Sequence, residues 1–175
     1  MKTHSHRILV MGVSGSGKSH IGHQLALILG ATFIDGDDYH SPANVAKMAS
    51  GTPLNDDDRS EWLGTLAALL AEYRARGESL VIACSGLKKR YRDRLRQGDP
   101  ALQILYLEGS RELLLERLET RAGHFFKGDT MLASQLADLE PPSEEEAFNA
   151  SIALSPQAIV TQFAATLPTP SRSPI

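Results

Sequence analysis

Cysteine is almost absent from this chain, long apolar runs are missing altogether, and cationic excess is missing too. The single cysteine, Cys84, permits no disulfide within the chain. That suits a reducing compartment and a core that holds without staples. No apolar stretch approaches the roughly 20 residues that cross a bilayer. The polar opening from Met1 to Arg7 leaves no room for the apolar region of a signal peptide. The expectation is a cytoplasmic protein with no membrane partner. Lys and Arg number 18 against 21 Asp and Glu, a net charge of -3, so a dedicated nucleic-acid binder is disfavoured. What remains is an ordinary globular mix, 42% hydrophobic and 22% charged over 175 residues, enough for one domain with a sizeable core.

Short apolar runs alternate with amphipathic stretches along the chain. Ile8 to Met11 is an unbroken run of the kind buried on both faces of a parallel sheet. Thr32 to Asp35, Leu80 to Cys84 and Leu102 to Leu107 read as further strands, and Ile152 to Leu154 as a weak fifth. Between them, helices are predicted from Ile21, Leu25 and Ile28 up to Gly30, from Asn44 to Ala49, and from Trp62 to Tyr73 behind the acidic start Asp56 to Asp58. Leu87, Tyr91 and Leu95 line a short basic helix, and Leu113 to Leu118 another. Arg121 to Gly128 lacks apolar periodicity and reads as a loop. A helix through Leu132, Leu136 and Leu139 stops at Pro141 and Pro142. Ser155 and Pro156 open the last helix, whose apolar face is Ile159, Val160, Phe163 and Leu167. Residues 1–167 form the predicted domain, and the Pro/Ser-rich 168–175 a disordered tail. This alternation predicts a three-layer α/β/α fold around a parallel sheet of about five strands.

The sharpest local signal is Gly12-Val13-Ser14-Gly15-Ser16-Gly17-Lys18-Ser19, a full match to G-x-x-x-x-G-K-[ST]. Glycines allow the backbone to wrap so that successive N–H groups point at phosphate oxygens, and the helix that begins there adds the positive end of its dipole. Lys18 is placed to bridge the β- and γ-phosphates of ATP, and the Ser19 hydroxyl to coordinate Mg²⁺. The pattern follows a buried strand and opens a helix, the setting its mechanism requires. A GTPase switch would need N-K-x-D and D-x-x-G, and neither string occurs. The third and fourth strands do not end in Asp, which leaves Asp35, at the end of the second, as the acidic partner of the metal.

Asp35-Gly36-Asp37-Asp38-Tyr39-His40, then Asn44, Lys47-Met48, Asp56, Asp58-Arg59 and Trp62-Leu63 make a second, longer pattern. Cys84 to Lys88, Tyr91-Arg92-Asp93, His124-Phe125-Phe126, Ser134-Gln135 and Leu139-Glu140 continue it. In register from about Ile8 to Pro142, this pattern resembles the gluconate kinases, a family of P-loop small-metabolite kinases. The resemblance implies phosphoryl transfer from Mg-ATP to gluconate by a homodimer, with a mobile lid at about 121–130. Other acceptors of the same fold, shikimate or a nucleotide, stay open, as does a nucleotide-binding switch without turnover.

A sugar acid needs a carboxylate near its reacting hydroxyl and a cation for its acid group. Asp37 suits the first role, although an acidic turn can also be simply solvated. Arg59 offers a planar fork for the substrate carboxylate, or an ion pair with Asp56 or Glu61. His40 is a hydroxyl donor or a plain loop histidine. Lys88 faces the same crevice or begins an exposed basic helix. Six basic residues between Lys88 and Arg96 read as a solvated helix face rather than a nucleic-acid stripe. In and just before the lid, Arg121 and then Arg117 are candidates to offset charge on the transferring group. His124 reaches the sugar acid or, with Phe125 and Phe126, anchors the closed lid and keeps water out. His20 stands where relatives more often carry Thr beside the nucleotide.

Overall fold

A computed structural model describes residues 5–52, 54–122 and 126–168, with only the backbone over 119–122 and 126–131. Five strands, β1 (Arg7–Met11), β2 (Thr32–Asp35), β3 (Leu80–Ala83), β4 (Gln103–Glu108) and β5 (Phe148–Ser151), form one sheet in the order β2-β3-β1-β4-β5. Every pairing is parallel. Seven α-helices connect and cover it: α1 (Lys18–Leu29), α2 (Pro42–Ala49), α3 (Asp56–Arg76), α4 (Lys89–Arg96), α5 (Arg111–Ala122), α6 (Phe126–Asp138) and α7 (Pro156–Thr166). This is the three-layer α/β arrangement that the alternation predicts.

The period of two in β1 explains the layers. Ile8 and Val10 point into one core with Leu25 of α1, Leu114 of α5, Leu132 of α6 and Phe163 of α7. Leu9 and Met11 point into the other, with Trp62, Leu66 and Leu70 of α3 and Tyr91 and Leu95 of α4. β1, β3 and β4 are buried almost throughout, as central parallel strands must be.

The helix ends follow the local chemistry. Ser41 caps α2 and Ser155 caps α7, each followed by Pro at the first helical position. Asn55 and Asp58 form a reciprocal capping box on α3, and Gly77 closes that helix at φ 67°, a conformation that favours glycine.

Three expectations need correction. The fifth strand is Phe148–Ser151, not Ile152 to Leu154. β5 pairs on one side only, so it tolerates the polar sequence Phe-Asn-Ala-Ser, while Ile152 is a buried residue just beyond, its N–H donating to the Glu108 carbonyl at 2.8 Å. Of the stretch read as a loop from Arg121 to Gly128, the described residues are helical: α5 runs to Ala122 and α6 begins at Phe126, with 123–125 outside the described residues. Thirdly, the basic face of α4 is not simply solvated, because Arg92 is 1% exposed. Among the described residues no helix is long and apolar enough to cross a membrane.

Candidate active site

All five strands point their carboxyl ends at one edge of the sheet, and the order of the strands reverses direction at β1. In open α/β sheets that edge gathers ligands. The phosphate loop leaves β1 there, pinned at its start by a hydrogen bond from Gly12 N–H to the Ser85 carbonyl at 3.3 Å. A side chain at Gly12 would place Cβ only 2.6 Å from the Ser16 oxygen, so the loop wraps too closely for anything larger than glycine. Among the described residues Ser16 Oγ is buried with no hydrogen-bond partner. Lys18 Nζ donates to the Val13 carbonyl at 3.3 Å, folded back over the loop where phosphates would lie. Gly15, Ser16 and Gly17 open onto a cleft of about 450 Å³, whose far walls are Leu113 and Arg117 of α5, then Ile152, Leu154 and Pro156. Arg117 is held in this wall by donating to the Ile152 carbonyl.

Ser19 Oγ donates to Asp35 Oδ2 at 3.1 Å, and Asp35 Oδ1 accepts the Asp37 N–H at 3.0 Å. One carboxylate thus ties the phosphate loop to the turn after β2. A hydroxyl and a carboxylate side by side are hard oxygen donors, a set that fits Mg²⁺ sharing phosphate oxygens and water.

Residues 36–39 form a 3-10 turn that presents Asp37, whose carboxylate is 71% exposed. The His40 imidazole, 3.7 Å away, and behind it the Lys18 ammonium hold its carboxyl below the usual range, against the opposing effect of its concave setting. His40 is no plain loop histidine, because its side chain is only 3% exposed. The ring stacks on Trp62 at 4.1 Å, and the Trp62 indole N–H donates to the Gly36 carbonyl at 2.7 Å.

Arg59 pairs with neither Asp56 nor Glu61. Its guanidinium donates to the Tyr91 hydroxyl at 2.7 Å and lies over the Tyr91 ring, 5.2 Å from its centre. The Tyr91 hydroxyl donates in turn to Asp56, which also meets Arg90, and Lys88 Nζ at 3.8 Å. Lys88 Nζ lies 5.8 Å from the same ring. One tyrosine therefore gathers Arg59, expected to meet the substrate carboxylate, and Lys88, expected to face the same crevice, from two helix starts.

Arg92 completes the frame. It donates to the Gly86 and Glu140 carbonyls at 2.7 and 3.0 Å and forms two hydrogen bonds with Glu146. This locks the loop after β3 to the segment after α6. α6 reaches back to the phosphate loop as well, since Gln135 Oε1 accepts the Ser14 N–H at 2.6 Å. Arg121 lies on the last turn of α5 with its side chain outside the described residues, as His124 is altogether. Sequence reasoning assigned no role to Asn44, Trp62, Tyr91, Arg92 or Gln135. Their signals were membership of the longer pattern and, for Trp62 and Tyr91, a place on an apolar helix face, since most of their contacts span a large sequence separation.

A family model described as an AAA domain matches residues 8–142. The thermoresistant gluconokinase of Escherichia coli (strain K12) is 50% identical over 145 residues, covering 82% of each chain. The chain belongs to the gluconokinase family. Within it, the gluconokinase of Arabidopsis thaliana is 40% identical over 165 residues, 87% of each chain. A crystal structure of a gluconokinase from Sinorhizobium meliloti 1021 superposes with a TM-score of 0.84 at 41% identity, covering 93% of this chain and 91% of that one. The family likeness therefore spans both the phosphate loop and the Asp37 and Tyr91 groups.

Proposed function

We propose that this protein transfers the γ-phosphoryl group of ATP to D-gluconate, giving 6-phospho-D-gluconate and ADP. The observation that carries this reading is the placement of a carboxylate, Asp37, beside the phosphate loop, with two cations gathered on Tyr91 within the same family pattern. The loop of Gly12, Val13, Ser14, Gly15, Ser16 and Gly17, through the backbone N–H groups not already given to Ser85, Gln135 and Val13, cradles the β- and γ-phosphates together with Lys18. The cleft beside Arg117 takes the nucleoside. Ser19 and Asp35 would hold Mg²⁺, whose charge offsets that of the phosphate oxygens.

On the other side, Arg59 and Lys88 bind the gluconate carboxylate, and His40 and Asp37 hold the reacting hydroxyl. Its oxygen bonds to the γ-phosphorus as the bond to the β–γ bridging oxygen breaks. The hydroxyl proton passes to Asp37 and on to solvent. A carboxylate with a lowered pKa is a weak base, so Asp37 orients the hydroxyl first and accepts its proton late, as the new bond forms. Arg121 offsets charge on the transferring group, and His124 closes over the acceptor in a lid spanning 121–130. The enzyme acts as a homodimer in the cytoplasm, with neither nucleic acid nor membrane as a partner; the cations of α4 are committed to Asp56, Asp93, Gln97 and Glu146.

A coupled ADP-release assay with gluconate, shikimate and nucleoside monophosphates tests the reading. Turnover is expected with gluconate. Tight ATP binding without turnover on any acceptor would replace the enzyme by a nucleotide switch.

A further inference from the structure

His40 is almost wholly buried, yet its Nε2 edge faces the Asp37 carboxylate. Which of its ring nitrogens carries the proton decides what that edge can do. A protonated Nε2 donates to an approaching hydroxyl and leaves Asp37 as the acceptor of that hydroxyl's proton. A bare Nε2 would be a second acceptor, competing with Asp37 for the same proton.

The choice is settled from the far side of the ring by Asn44, a residue 5% exposed on α2. Asn44 Nδ2 lies 2.7 Å from the Asp58 carbonyl oxygen. A carbonyl only accepts, so the atom in that position is the amide nitrogen, and the flip of the Asn44 side chain is fixed. The same nitrogen lies 3.4 Å from His40 Nδ1. Its two N–H bonds therefore serve the Asp58 carbonyl and the imidazole. Nδ1 must then be the bare, accepting nitrogen, which puts the proton on Nε2, toward Asp37.

The neighbours hold this arrangement in place. Trp62 stacks on the ring at an interplanar angle of 18° and holds its plane, so that Nδ1 stays toward Asn44 and Nε2 toward Asp37. Lys47 donates to Asp58 Oδ2 at 2.8 Å, and Asp58 also belongs to the capping box of α3, which fixes its carbonyl. The charged groups around the imidazole are thus Asp37 from the turn and the paired Lys47 and Asp58 from α2 and α3. Among the charged groups of the described residues, Asp37 is the one that lies against a ring nitrogen.

We infer that Asn44 is a positioning residue for phosphoryl transfer: it fixes His40 as the neutral Nε2–H tautomer, so that the acceptor hydroxyl receives a hydrogen bond from His40 and gives its own to Asp37. This rests on the proposed gluconate reaction for its catalytic meaning but not for its geometry.

The test begins with the wild-type protein labelled with ¹⁵N-histidine, His40 being assigned with His40→Gln. Long-range ¹H–¹⁵N correlations at neutral pH are expected to show a bare Nδ1 and a protonated Nε2. A protonated Nδ1, or a doubly protonated ring, overturns the inference whatever the kinetics. Asn44→Asp then places an acceptor where the donor stood and moves a proton to Nδ1. Its kcat with gluconate should fall roughly tenfold to a hundredfold, the scale of a misdirected proton donor, with KM for ATP unchanged. The tautomer signal of this variant should move with the loss of rate, which a merely structural role would not produce. A folded Asn44→Asp enzyme with wild-type kcat sinks the role. Should that variant fail to fold, the wild-type spectrum decides alone. Absence of gluconate turnover with the Nε2–H signal intact would instead refute the proposed reaction.

Discussion

The phosphate loop occupies eight consecutive residues between one strand and one helix, whereas the acceptor side draws on a turn, three helices and the loop after β3. The first is contiguous in sequence: Gly12 to Ser19 run from the end of β1 into α1, steadied from elsewhere by single hydrogen bonds to the Ser85 carbonyl, Gln135 and Asp35. The second is assembled across the chain, with Arg59 and Tyr91 32 residues apart and Arg92 and Glu146 54 apart. Local sites are robust to changes elsewhere in the core. Assembled sites inherit the stability of every contact that brings their parts together, so they offer more ways to lose function without touching the substrate.

That contrast breaks most sharply at Asp37, which stands on the acceptor side beside the phosphates. Asp37→Asn should lower transfer by about a thousandfold, within the range for a lost positioned base, and leave ATP affinity nearly intact in titration calorimetry. Normal turnover would remove Asp37 from the mechanism.

A change remote from substrate should come next. Arg92→Met leaves Glu146 with Arg96 alone and frees the Gly86, Leu87 and Glu140 carbonyls. Unfolding in urea is expected to show a loss of about 3–5 kcal/mol, the usual cost of breaking a buried pair. Tyr91→Phe removes the hydroxyl between Arg59 and Asp56. Its KM for gluconate should rise about tenfold while kcat and the KM for ATP hold, as expected when uniform binding is lost. An equal rise in both KM values would mean that the two sides are not separable.

The smallest effect is one of pH. Burial pushes the Glu146 carboxyl up, but hydrogen bonds from Arg92 and Arg96 outweigh it and bring the group from 4.5 down to about 2. A depressed folded pKa means that the unfolded chain binds the proton first as pH falls. The stability from Glu146 is therefore full above about 4.5 and is lost between there and about 2. Thermal melts of Glu146→Gln across that window should depend less on pH than those of the wild type. Identical slopes would show that other carboxylates govern the acid transition.

The same difference between local and assembled structure governed what could be read in advance. The phosphate loop, the ends of α1, α3 and α7, and the strands β1 to β4 follow from neighbouring residues, through glycine turns, caps and apolar runs. β5 was misplaced because an edge strand needs little apolar content, so Ile152 drew attention away from Phe148–Ser151. The gap between α5 and α6 looked wider than it is because Gly128 and the polar residues around it mask a helical period. Arg92 looked solvent-bound among five other cations, and its burial is explained by Glu146 and the Glu140 carbonyl, far off in sequence, together with the nearer Gly86 and Leu87 carbonyls. Asp37 was legible as a residue type in the right turn, whereas the stack of Asn44, His40 and Trp62 behind it was not.

Cys84, noted at first only for what it excludes, has a use of its own. It sits at the end of β3, 1% exposed, and burial pushes its thiol up to about 12. Asp37, Lys18 and Arg59 all lie close enough for their charges to reach it. A thiol reagent can therefore modify the folded protein only when the core between the sheet and helices α3 and α4 opens. The chain carries one built-in clock for that event, and with no second cysteine to confuse the count, the labelling rate reads it directly.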